Sequence, residues 1–125
     1  MDLPKFRSYL VLRSEVDLDS DMGGTSFDSV ACIKRGQGRH PEGYDSWMLA
    51  VAEQQVVSLR DPLSRLLQLV RAPEIERLIS RSIDAVLLVV VDWDSSSARP
   101  EFILSPELLE ELCALGLELQ LDLLV

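Results

Sequence analysis

The chain has 125 residues and a net charge of −9, with 47% hydrophobic and 26% charged residues. Those proportions are those of an ordinary globular domain, long enough to bury a core without disulfides or metal, and residues 1–125 are expected to form one domain. The longest apolar run, Ala85–Val91, falls far short of the ~20 residues that span a bilayer. The N-terminus, with Asp2 and Pro4, lacks the apolar core of a secretory signal, so a cytoplasmic protein with no membrane partner is expected.

Phe6 to Arg13 alternates and predicts a first strand. Residues 14–28 are rich in Asp, Ser and Gly and predict a loop. Val30–Lys34 and Ser46–Val51 predict two strands of a long-looped hairpin around the glycine-rich turn that contains His40. Asp61-Pro62 fits an N-cap and first helical position. Leu63, Leu66, Leu67 and Val70 then keep helical spacing, and Pro73 starts a second helical stretch carrying Ile75, Leu78, Ile79 and Ile83. Asp84–Asp92 is apolar on both faces, as a central strand would be. A serine-rich turn follows, and Glu101–Leu104 predicts a short strand.

Ser105-Pro106-Glu107 is the sharpest local signal. It offers a side-chain oxygen for free N–H groups, a preset φ, and an acid at the positive helix end. Leu108, Leu109, Leu112 and Leu115 form an apolar helix face, Gly116 suits the left-handed stop, and Leu117, Leu119, Leu121 and Leu123 alternate as a final strand. The expected fold class is α+β: a ferredoxin-like-related open sheet with two helical segments on one face and an additional N-terminal β-hairpin. The second face of the 84–92 strand then needs a cover, from the hairpin, a second copy or a partner.

The acidity is uneven. Residues 14–28 and 105–125 each hold five acids and no base, while the rest of the chain is near neutral. This speaks against nucleic-acid binding, which needs bases to displace counterions, and suits a basic protein partner. Asp17, Asp19 and Asp21 with Asp28 imitate the spacing of a calcium loop, but Met22 stands where that loop needs glycine. An acidic, partner-facing loop is the preferred reading. Asp92-Trp93-Asp94 reads as a strand ending in a turn. Cys32 and Cys113 read as two reduced core thiols, and with one histidine no catalytic triad can be assembled. Neither cofactor nor metal is expected.

Residues Phe102–Leu109, Leu112, Ala114–Leu119 and Asp122 resemble the closing signature of a bacterial family known as domain of unknown function 4279. Tyr9–Arg13, Trp47 and Leu63–Ile83 can be laid onto the same plan of strand, tryptophan, helix, hydrophobic strand, helix and strand. The resemblance implies a short helix and a Leu-Gly-x-x-Pro-like turn after the first strand, where this chain has its acidic, glycine-rich stretch. It implies a fold and no activity. The expected function is therefore a non-catalytic protein-binding domain, an immunity protein that binds and neutralises a cognate toxin. Its expected contacts are Glu15, Asp17, Asp19, Asp21, Asp28 and Trp47. The alternative is a homodimeric housekeeping or regulatory module. An enzyme would require a pocket that gathers Asp92, Asp94 and His40.

Overall fold

The computed structural model describes residues 2–34 and 43–124. His40 and most of the glycine-rich turn lie outside them. In chain order the elements are β1 (Lys5–Ser14), α1 (Asp19–Met22), β2 (Ser29–Ile33), β3 (Asp45–Gln55), α2 (Arg60–Val70), α3 (Pro73–Ser80), β4 (Asp84–Asp92), α4 (Pro106–Leu115) and β5 (Glu118–Leu124). The strands make one open sheet in the order β2-β3-β1-β4-β5. All neighbours are antiparallel except β4 and β5, which are parallel. The expected α+β open sheet is what forms.

The period-two pattern of β1 explains the layering. Phe6, Leu10 and Leu12 are fully buried and alternate with Arg7, Val11 and Arg13 on the other face. Leu10 lies opposite both Leu49 and Leu87, and Phe6 opposite Val91. Onto this side pack Leu63, Leu66, Leu67 and Val70 of α2, Ile75 and Leu78 of α3, and Leu108 of α4. Each fully buried aliphatic side chain contributes about 1.5–3 kcal/mol of transfer free energy, so this single layer carries the fold.

Both prolines at the helix starts act as expected. Ala72 is extended (φ −62°, ψ 138°) and Pro73 opens α3, because a residue before proline avoids the helical region. Ser105 Oγ accepts a hydrogen bond from the Leu108 amide at 3.3 Å, and Gly116 (φ 68°) ends α4 in the left-handed region. At α2 the outcome differs. The helix begins at Arg60, one residue before Asp61, and no side chain caps Leu59. Asp61 instead places its charge in the first turn, where it suits the helix dipole.

Three further expectations are corrected. Residues 101–104 form no strand; Glu101 makes a single bridge to Ser58, and Ile103 is 70% exposed. The backbone of Glu101 bonds to Val57 and Leu59, which ties this segment to the entry of α2 rather than to the sheet. β4 therefore reaches β5 through a crossover carrying α4 alone, and parallel pairing follows. Residues 14–28 are not all loop: they contain α1 and bury Leu18, Met22 and Phe27. Leu18 and Met22 stand four residues apart, one helical turn, and the five acids around them hide that spacing. Finally, Asp84–Asp92 is fully covered on one face only: Leu87, Val89 and Val91 are buried there, while on the other face Val90 is buried and Val86 and Leu88 are half-buried. The β2–β3 hairpin extends the sheet sideways and leaves that second face bare.

Candidate functional site

The bare face is the broadest surface that the fold leaves without a helical cover. Its middle is aliphatic: the register aligns Val11 with Met48 and Val86, and Met48 with Ala31. Toward the end of the sheet where β1 finishes, the surface dips into a shallow groove of about 500 Å³. Ile33, Met48, Val11, Val86 and Leu88 line its floor, and Glu118 and Gln120 of β5 line one side. Arg13 and Asp84 cross the groove as a bidentate ion pair, with the Arg13 Nε to Asp84 Oδ1 bond at 2.9 Å. The Arg13 guanidinium also stands 5.2 Å from the centre of the Tyr44 ring.

The acidic segment leaves β1 at this same end, because Ser14 is the last residue of β1 and pairs with Asp45 at the start of β3. Its acids have local tasks. Asp17 Oδ1 accepts the Asp19 amide at 2.8 Å, closing a turn before α1. Lys34 Nζ sits among three carboxylates: Asp19 at 2.5 Å, Asp45 at 3.6 Å and Asp17 at 3.8 Å. The hydrogen bond to Asp19 holds the Lys34 ammonium above the ordinary lysine range. The same ammonium lies 5.2 Å from the Trp47 ring centre. Asp21 pairs with Arg81 beyond the end of α3. Asp28 is set apart, since its carboxylate accepts the Ala52 amide at 2.7 Å and so pins the start of β2 to β3.

The six residues expected at a partner surface therefore divide. Asp17 and Asp19 meet at Lys34, Asp21 turns to α3, and Asp28 sits halfway along β3. Glu15 stays exposed at the mouth of the segment. Trp47 is only 6% exposed and belongs to the core layer. Glu15, Asp17, Asp19, Asp21 and Asp28 nonetheless remain exposed to solvent despite their pairings. What sequence reading missed is the groove itself. Its signal was the half-apolar odd residues of β1, Tyr9 and Val11, facing away from a core that already owned the even ones.

The opposite end of the sheet holds a second, polar depression of about 410 Å³, lined by Asp2, Lys5, Gln55, Asp92, Trp93, Asp94 and Ser97. It brings Asp92 and Asp94 together, as an enzyme reading would ask. Asp94, however, is engaged: the Ser96 hydroxyl and amide bond its Oδ1 at 2.6 and 2.8 Å and, with Ser97, hold the carboxyl below the ordinary aspartate range. That is the chemistry of a turn. The cysteines are not both core thiols as expected: Cys113 is exposed on α4 and Cys32 is half-buried, where burial pushes its thiol up, with Lys34 opposing, which disfavours a reactive thiolate. Among the described residues no cluster of three or more His, Cys, Asp or Glu is placed to hold a metal ion, and no helix is long and apolar enough to cross a membrane.

Residues 24–125 match a known family, described as Domain of unknown function (DUF4279). The chain belongs to this family. No curated protein and no solved structure matches it. The DUF4279 match takes in β2 through β5, and with them most of the bare face, α4 and its Gly116 stop. It begins after Glu15, Asp17, Asp19 and Asp21, so this acidic stretch is a part of the chain that the DUF4279 match leaves out.

Proposed function

We propose that this chain is a non-catalytic protein-binding domain, and specifically an immunity protein that neutralises a cognate basic toxin. The observation that supports it is an uncovered aliphatic groove at the end of the sheet from which the acid-rich segment leaves β1. Apolar surface of this kind gains from being covered, and clustered acids steer a basic partner toward it. The net charge of −9 acts in the same direction at long range. The lining favours binding over chemistry: it is mainly aliphatic, and Arg13 and Asp84 are committed to one another.

In this reading the charges of Glu15, Asp17, Asp19, Asp21 and Asp28 steer the partner, Glu118 flanks the groove, and Met48, Val11 and Val86 form the contact floor. Trp47 supports Asp17 and Asp19 from beneath through Lys34. The test is co-production in cells of this chain with the product of each gene adjacent to its own. Protection of growth by the chain, lost when Met48→Asp is introduced, is the expected result. Absence of protection by a folded, soluble chain overturns the reading.

A further inference from the structure

The outer edge of β5 is unpaired among the described residues. Leu124 turns its carbonyl toward β4, where it accepts the Trp93 amide at 3.0 Å. Carbonyl and amide directions alternate along a strand. Leu119, Leu121 and Leu123 therefore aim their N–H and C=O groups outward, away from β4. Their side chains lie on the helix-covered side of the sheet, yet Leu121 is 44% and Leu123 53% exposed. The edge is lightly guarded: Glu118–Leu124 contains no lysine and no proline, its pairing with β4 runs without a bulge, and its charges are the two acids Glu118 and Asp122.

We infer that β5 pairs antiparallel with β5 of a second copy, in a register centred on Leu121. In that register Leu121 faces its own counterpart and Leu119 faces Leu123, so every outward backbone group meets a partner. Glu118 falls opposite Leu124, and Gln120 falls opposite Asp122, to which its amide can donate. Moving the centre to Gln120 sets Glu118 against Asp122, and moving it to Asp122 sets two aspartates face to face. A half-step places inward-facing backbone groups opposite outward ones. Centring on Leu119 or Leu123 also keeps acid from acid but pairs fewer of residues Glu118–Leu124 with one another, so the Leu121 centre alone satisfies every outward backbone group of the strand and sets no acid directly opposite an acid. The result is a ten-stranded sheet with both helical layers on one side and both grooves on the other. The inference stands independently of the toxin reading.

Light scattering on the purified chain at about 0.1 mM tests it, with circular dichroism to confirm folding. The expected mass is twice 14.0 kDa. Gln120→Glu puts an acid opposite Asp122 twice across the axis and is expected to weaken the dimer about fivefold, an effect that added salt reverses. Gln120→Lys is expected to tighten it. Leu121→Lys is expected to give monomer. A monomeric mass at this concentration overturns the inference, as does a dimer indifferent to both Gln120 variants. The Gln120 pair stays decisive if Leu121→Lys unfolds the chain, because residue 120 is exposed.

Discussion

At the residue scale, the acids of the first connection show how one side chain serves both structure and surface. Lys34 gathers Asp17, Asp19 and Asp45, so its charge is worth more in the folded chain than in the unfolded one. A group whose proton affinity rises on folding contributes stability that is fully present below its unfolded pKa and lost as pH rises through the folded value. Denaturant midpoints measured across the alkaline range are expected to fall more steeply for the wild type than for Lys34→Met. Asp94 gives the opposite sign. Its depressed carboxyl contributes stability above the ordinary aspartate pKa of about 4, lost as pH falls through the lower folded value. Asp94→Asn is expected to flatten the acid limb of the same experiment. Of these contacts little was legible in the sequence. Asp17, Asp19 and Asp21 could be seen as a charged run, but their partners Lys34 and Arg81 lie 15 and 60 residues away in the chain.

At the element scale, legibility followed the locality of the signal. The Ser105 cap and the Gly116 stop are set by their own neighbours, so they were read from sequence and the structure has both. Ser105→Ala is expected to cost about 1 kcal/mol in chemical denaturation, and Gly116→Ala a further ~1 kcal/mol because its φ of 68° strains a side chain. Elements fixed by distant contacts were misread. Residues 101–104 have strand composition but are held by Val57 and Leu59, and α1 is held by the burial of Leu18 and Met22. If that burial is what forms the helix, Leu18→Ala costs about 2–5 kcal/mol, far above the ±0.5 kcal/mol typical of a surface loop position. Equilibrium unfolding by urea decides between the two.

At the scale of the whole molecule, the sheet has one covered face and one bare face, with unlike ends. The composition announced the −9 charge but not its placement. Only the fold brings Glu118 of the last strand to the groove that Val11 of the first strand floors. Acids that steer a partner to an apolar floor predict an association that is fast at low salt and slows as ions screen it. The most direct measurement is an equilibrium titration of the chain with any basic protein among the products of the genes adjacent to its own, at low and high salt, for the wild type and for Glu15→Lys/Glu118→Lys. One-to-one binding is expected, weakened about tenfold or more by the double reversal and by salt. No binding, or binding indifferent to both, would contradict the account.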